Sequence, residues 1–155
     1  MTTEADWVTD PTAYQPMKQA ASKDLPVGFE VEPITRQMTL DKSRIYQGWP
    51  ESRNRHCDYE AAHATGLRAP NINGAQTAEM LGMLFVRFFG KDYLGGSLAF
   101  NLISQVQLDD VLTAKGVVKE KVADGTRTRL VLDVWVENQR GEKVLAGTAS
   151  GLAPS

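Results

Sequence analysis

The chain has 155 residues, of which 42% are hydrophobic and 23% charged, the size and balance of a single globular domain with its own core. Its 17 Lys and Arg residues against 19 Asp and Glu leave a formal net charge of -2, which excludes a general attraction to nucleic acid or to an acidic membrane surface. The single cysteine excludes an intrachain disulfide and a cysteine-based zinc cluster, and it predicts a reducing compartment, the cytoplasm.

The first 26 residues predict a flexible arm ahead of the folded domain. They are polar and carry Pro11, Pro16 and Pro26, so they offer little apolar surface to bury. No export signal is expected at this end, and no apolar run approaches the roughly 20 residues of a transmembrane helix. One domain is therefore predicted over residues 27–155, without a membrane partner.

Alternating apolar residues predict a first strand that starts at Gly28 and is broken at Pro33. Thr39 then looks like the N-cap of a short helix. This helix is predicted to run toward Trp49 and to end there, because Pro50 disfavours the helical conformation in the residue before it.

Two further helices are predicted. A short one covers Asp58–His63 and is closed by Gly66. The densest apolar stretch, residues 75–89, predicts a central helix that is buried on most sides, between Asn73-Gly74 and Gly90.

The C-terminal half alternates apolar and polar residues at the period of two that is typical of strands. Four long strands are predicted, the first of them over residues 98–108. The dipeptides Asp124-Gly125 and Arg140-Gly141 predict hairpin turns, which make the last three strands antiparallel. A strand, a buried helix and a meander that wraps the helix form an α+β architecture. Such a sheet leaves an edge and a face that a second copy can cover, so a homodimer or higher homo-oligomer is predicted.

Both histidines of the chain, His56 and His63, fall in the long connection over residues 50–74. A compact domain tolerates so long a connection mainly when it carries a function. A metal site is one interpretation, because His56, Glu60 and His63 would share one face of a continuous helix. Asp58, however, looks like the start of the helix, which leaves His56 outside it and favours a site without metal.

Three features of this connection stand in a definite order. Glu51 stands five positions before His56, Asp58 completes a His-x-Asp motif, and Pro70-Asn-Ile-Asn-Gly74 leads into the central helix. This order resembles the MaoC-like dehydratase and (R)-specific enoyl-CoA hydratase family, with a glutamate where that family has aspartate. The resemblance covers roughly residues 26–152. It implies a hotdog fold, in which an antiparallel sheet wraps around a central buried helix.

The resemblance also implies an activity, the reversible addition of water to an enoyl thioester. This reaction needs a base to take a proton from water, an acid to protonate the α-carbon, and donors for the developing enolate oxygen. Glu51 and His56 are the candidates for the first two roles. The backbone N–H of Gly74 is the candidate for the third, because the first amides of a helix lack intrahelical partners. No metal, nucleotide or redox cofactor is needed.

The predicted substrate is a thioester of coenzyme A or of an acyl carrier protein, and several residues are candidates to bind it. Arg53, Arg55 and Arg68 flank the site and suit phosphate groups. Asn73, beside Gly74, stands where the family has a histidine. The acyl chain is predicted to lie along the central helix, lined by Met80, Met83 and Leu84.

Two other functions remain open. A hotdog thioesterase would use a carboxylate on the central helix as base or nucleophile, and Glu79 is the only acidic residue in that helix. A non-catalytic subunit that binds an acyl thioester is the other alternative, because Glu51 and Asn73 depart from the family at the positions where the chemistry is done.

Overall fold

The structure is a computed structural model that describes Met17 and residues 20–154. Most of the predicted arm lies outside these residues, so the domain boundary at residue 26 stays a prediction; Ala21 and Leu25, just before it, are buried. In chain order the elements are β1 (Glu30–Gln37), α1 (Leu40–Gln47), α2 (Tyr59–Ala64), β2 (Asn71–Ile72), α3 (Gly74–Phe89), a 3-10 helix (Gly90–Gly95), β3 (Ser97–Leu102), β4 (Val106–Gln107), β5 (Val111–Asp124), β6 (Arg127–Glu137) and β7 (Lys143–Leu152).

Five strands form one antiparallel sheet in the order β1-β5-β6-β7-β3. The predicted hairpin turns join β5 to β6 and β6 to β7. Gly125 and Gly141 in these turns have φ angles of 61° and 76°, a left-handed conformation that glycine adopts without steric cost. The antiparallel meander predicted from the sequence is therefore confirmed.

The central helix α3 packs against all five strands of this sheet. Its predicted boundaries are confirmed, with Asn73 as N-cap and Gly90 as C-cap. Phe88 and Phe89 near its C-terminal end are 1% and 2% exposed, and their rings meet edge to face with centroids 5.0 Å apart. Burial of each such side chain contributes about 1.5–3 kcal/mol to folding. The core thus lies between one helix and one sheet, as the α+β prediction requires.

The strand predicted over residues 98–108 is divided in two. β3 ends at Leu102, and β4 leaves the main sheet to pair with β2, with Val106 opposite Ile72. The prediction was wrong because Val106 and Leu108 continue the same alternation as β3. A period of two gives no sign that a chain has changed sheets.

The first helix also ends earlier than predicted. It stops at Gln47, because Gly48 takes a left-handed conformation with φ of 78° and its N–H bonds back to the carbonyls of Arg44 and Ile45. Glycine, and not Pro50, therefore terminates α1. Thr39 is confirmed as its N-cap, and its hydroxyl accepts from the N–H of Lys42 at 3.3 Å.

Candidate functional site

An open pocket of about 300 Å³ lies where the long connection meets the start of α3. The pairing of β2 with β4 brings the segment after β3 against the first turn of α3, and the loop before α2 closes another wall. The lining includes Arg55, His56, Asn71, Gly74, Thr77 and Leu102. Two of the predicted catalytic residues, His56 and Gly74, are thus brought together from separate parts of the sequence.

The ring of His56 is held in one tautomer by its surroundings. Nδ1 lies 2.9 Å from the carbonyl oxygen of Asn71, which can only accept, so Nδ1 carries the proton of the neutral ring. Nε2 then carries the lone pair of the ring, which accepts from Arg55 Nε at 3.5 Å. A neutral imidazole with an unprotonated nitrogen at a pocket is what a general base requires.

The backbone of His56 is fixed as well. Its N–H donates to the side-chain oxygen of Asn54 at 2.9 Å, and its carbonyl accepts from the hydroxyl of Ser43 at 2.6 Å. The Asn54 carbonyl also accepts from the N–H groups of Cys57 and Asp58. The loop around the histidine is therefore a compact turn with few free polar groups.

The first turn of α3 contains a backbone donor without an acceptor among the described residues, at Gly74, which lines the pocket. Asn73 caps the helix: its side-chain oxygen accepts from Ala75 N at 2.8 Å and its carbonyl from Thr77 N at 3.0 Å. The N–H of Gly74 has no acceptor within the described residues, as is usual for the first turn of a helix. A Cβ at Gly74 would lie 2.5 Å from Leu102 Cδ1, so a glycine leaves room at this wall.

Glu51, the third predicted catalytic residue, lies outside the lining of this pocket. Its side chain is exposed and does not line the pocket, and no hydrogen bond or ion pair holds its carboxylate in the described part of the chain. The structure thus brings two of the three predicted catalytic residues to the pocket and leaves the third on the surface beside the loop.

Of the three arginines predicted to bind substrate, Arg55 lines the pocket. Arg53 stacks on the ring of Trp49, with its guanidinium carbon 4.6 Å from the ring centroid, and Arg44 lies 4.5 Å from the same centroid. Arg68 is exposed outside the pocket lining. One basic side chain therefore lines the pocket, and the other two are exposed outside its lining.

The residues predicted to line the acyl chain lie away from this pocket. Met80 and Leu84 are 1% and 2% exposed and belong to the core, whereas Met83, 37% exposed, lies on the outer stripe of α3. Leu102 and Ile103 supply the apolar wall instead. The helix is apolar on most of its circumference, so its periodicity does not say which side faces a ligand.

Asn71 and Thr77 are site residues that the sequence analysis missed. Both line the pocket and are only 4% and 2% exposed, and the side-chain oxygen of Asn71 has no hydrogen-bond partner. The sequence contained one sign of them: a polar residue inside an apolar segment, such as Thr77 in the first turns of α3, can indicate a site.

The predicted alternatives depend on residues outside the pocket lining: Glu60 and His63 for the metal site, and Glu79 for the thioesterase. His56 precedes α2, and His63 Nε2 donates to the carbonyl of Arg68 at 3.0 Å, so these two histidines face different partners. Among the described residues, no three metal-binding side chains form a group. Glu79 is exposed on α3. The pKa of Tyr46 is raised by burial, and also by the charge of Glu79 and a hydrogen bond with it.

Among the described residues, no helix is long and apolar enough to span a membrane.

Solved structures resemble this chain, although no protein-family model and no curated protein matches its sequence. R-hydratase PhaJ1 from Pseudomonas aeruginosa, in its unliganded form, aligns with a TM-score of 0.73 at 19% identity, over 91% of this chain and 90% of that one. The MaoC-like dehydratase from Rhodospirillum rubrum aligns at 0.69 and 20%, over 86% and 95%. A chain of the ChsH1-ChsH2 complex from Mycobacterium tuberculosis aligns at 0.67 and 16%, over 83% and 98%.

These alignments cover nearly the whole of each chain, so the likeness concerns the complete domain. At about 20% identity it establishes the fold. The hotdog architecture predicted from the order of Glu51, His56 and Gly74 is thereby confirmed. This chain has the hotdog fold shared by the (R)-hydratases and the MaoC-like dehydratases.

Proposed function

We propose that this protein adds water reversibly to an enoyl thioester, with His56 and the N–H of Gly74 as its central chemical groups. The observation that carries the proposal is their meeting in one pocket. One group is an imidazole with an unprotonated nitrogen, and the other is a helix N-terminal amide without an acceptor in the described residues. A hydration assay with an enoyl-CoA, carried out on the parent protein and on His56→Ala, tests the proposal.

The chemistry needs two proton transfers and one oxyanion contact. As the water oxygen attacks the β-carbon, a base takes one of its protons; an acid returns a proton to the α-carbon, so the sum is the addition of one water molecule. In our proposal His56 takes the proton from water and returns it to the α-carbon, and the negative charge of Glu51, outside the pocket lining, supports the imidazolium between the two transfers. The Gly74 N–H stabilises the enolate oxygen, helped by the positive end of the helix dipole. The protons balance within the reaction, and no oxidant or reductant is consumed.

The substrate in this proposal is an acyl thioester carried by coenzyme A or by an acyl carrier protein. Arg55 in the pocket lining supplies positive charge for the phosphates of either carrier, and the exposed Arg53 and Arg68 are further candidates in our proposal. Leu102 and Ile103 offer an apolar wall to the acyl group near the reacting carbons. A longer acyl chain that follows the outer side of α3 would meet Met83, whereas Met80 and Leu84 are covered in the core.

A second candidate, a non-catalytic subunit that binds an acyl thioester, has one observation in its favour. Glu51 lies outside the pocket and Asn73 is occupied as a helix cap. Such a subunit would bind the thioester without turnover. The thioesterase alternative has no comparable support, because Glu79 lies away from the pocket.

We further propose that the β3 edge of the sheet pairs with a second copy of the chain. Residues 97–105 carry no charge, and Phe100, Leu102 and Ile103 are 41%, 55% and 56% exposed. An uncharged apolar edge favours pairing, whereas the opposite edge, β1, carries charged residues and Pro33. Because Leu102 and Ile103 also line the pocket, the second copy would cover its open side.

The assembly is expected to have at least twice the 17.0 kDa mass of one chain, measured by light scattering at micromolar concentration. Phe100→Lys places a charge on the apolar edge and is expected to release a folded monomer. Thr35→Lys, on the exposed β1 edge, is the matched control and should leave the assembly intact. A monomeric parent protein would refute the homodimer, and a monomer that assembles only with a different chain would replace it with a hetero-oligomer.

Glu51 is expected to contribute through its charge. Glu51→Gln keeps the shape and removes the charge, so turnover should fall by about a hundredfold, the lower end of the range for a group that takes part in acid–base catalysis. Glu51→Asp keeps the charge and should retain more activity than Glu51→Gln. Steady-state rates with an enoyl-CoA measure both variants. Full turnover by a folded Glu51→Gln variant would remove this residue from the mechanism.

A further inference from the structure

We propose that helix α1 positions His56 for catalysis and that Ser43 is the residue through which it does so. The inference deepens the proposed function and rests on it. It assigns Ser43 no contact with substrate. Its role is to fix the backbone from which the catalytic ring projects.

Three side chains of α1 reach the loop that carries His56. The Ser43 hydroxyl donates to the His56 carbonyl at 2.6 Å, and Arg44 Nε donates to the Cys57 carbonyl at 3.3 Å. One turn later, the side-chain oxygen of Gln47 accepts from Asn54 Nδ2 at 2.9 Å. The loop is thus held to α1 at positions 54, 56 and 57, on both sides of the histidine and at the histidine itself.

Ser43 is the buried member of this set. Its side chain is 0% exposed, and its bond to His56 is the shortest of the three. Serine is a weak helix former, and an apolar residue at a fully buried helix position would stabilise the fold more. The presence of a serine at this buried position is therefore explained by the hydrogen bond that its hydroxyl donates to a carbonyl of the loop.

The position of the ring depends on that carbonyl. With Ser43 removed, the His56 carbonyl loses its partner, and the peptide group between residues 56 and 57 is held only by the bond from the Cys57 N–H to the Asn54 carbonyl, so it can tilt toward another donor. Rotation at this residue shifts the ring relative to the Asn71 carbonyl, which selects the Nδ1–H tautomer. Nε2 then loses its defined direction, and a displacement of about 1 Å in a reacting group can cost a hundredfold in rate.

The test compares Ser43→Ala with Thr39→Ala. Thr39 caps the same helix, so its loss destabilises α1 without removing any contact with the His56 loop. In the assembled protein, Ser43→Ala is expected to lower kcat for an enoyl-CoA by about tenfold or more, with KM changed less than about twofold, since the residue acts on the catalytic group. Thr39→Ala should keep the parental kcat at a temperature where both variants are folded.

Nitrogen NMR of the imidazoles gives a readout that does not depend on activity. The chain has two histidines, and His63, bonded to the Arg68 carbonyl, is an internal reference. In the parent protein His56 should show one tautomer with an unprotonated Nε2. In Ser43→Ala its signals should move toward a tautomer mixture, whereas those of His63 should not change.

Each outcome decides the inference. Equal kcat in Ser43→Ala and the parent, with unchanged His56 signals, overturns it, as does an equal loss in Thr39→Ala. If Ser43→Ala does not fold, Ser43→Cys keeps nearly the same volume with a weaker donor and carries the same comparison. If His56→Ala is fully active, the proposed function fails, and the His56 signals still decide whether Ser43 holds the ring.

Discussion

Replacing His56 with alanine is expected to lower the hydration of an enoyl-CoA by about a hundredfold or more, the scale of a general acid–base residue. The physical reason is the tautomer: Nδ1 is bonded to the Asn71 carbonyl, which leaves Nε2 as the nitrogen that can accept a proton at the pocket. Alanine keeps the backbone contacts of residue 56 to Asn54 and Ser43. The loss should therefore appear in turnover and not in folding.

The assay follows the conjugated thioester chromophore and free thiol in the same sample. Hydration removes the chromophore without releasing thiol, whereas hydrolysis releases thiol. A non-catalytic subunit produces neither signal, although it would still bind the thioester. A hydratase, a thioesterase and a non-catalytic binding subunit therefore give three different results with the same substrate.

The matched control is His63→Ala. His63 is exposed on α2 and is not a pocket residue, so this variant should hydrate the substrate at the parental rate. Both variants should melt close to the parent protein, because neither side chain belongs to the hydrophobic core. Normal turnover by His56→Ala would end the hydratase proposal. Thiol release that depends on Glu79 would put the thioesterase in its place.

The elements that the sequence predicted correctly are those whose signals are local. The limits of α3 were predictable because Asn73 and Gly90 mark them, and the two hairpins because Asp124-Gly125 and Arg140-Gly141 mark their turns. The resemblance to the MaoC-like family led us to expect His56 and Gly74 at one site, and both line the same pocket. These signals depend on neighbouring residues or on a short motif, so one sequence contains them.

The walls of the pocket depend on a contact that no local pattern shows. β2 and β4 are two residues each, too short for a period, yet their pairing places the segment after β3 against the start of α3. For this reason Leu102 and Asn71 were not recognised as site residues. The surface position of Glu51 likewise depends on how the whole loop packs against α1, and its spacing from His56 does not reveal that.

Gly74→Pro is expected to lower turnover by about a hundredfold to a thousandfold, the effect of losing one oxyanion donor. Gly74 is the first residue of α3, where proline is well tolerated because its missing N–H has no helical partner there. Asn73 before it already has φ of -63° and ψ of 137°, the extended conformation that a following proline requires. The helix should therefore form normally while the donor at the pocket is lost.

Gly74→Ala separates the donor from the space around it. Both alanine and proline add a Cβ, which would lie 2.5 Å from Leu102 Cδ1, at the end of a side chain that is 55% exposed and can move. Alanine keeps the N–H, so its variant should lose much less turnover than Gly74→Pro, and the difference between the two measures the contribution of the donor. Rates and melting temperatures of both variants are the measurements. Equal losses would assign the effect to crowding by the Cβ, and a fully active Gly74→Pro would show that the enolate oxygen is stabilised by another group.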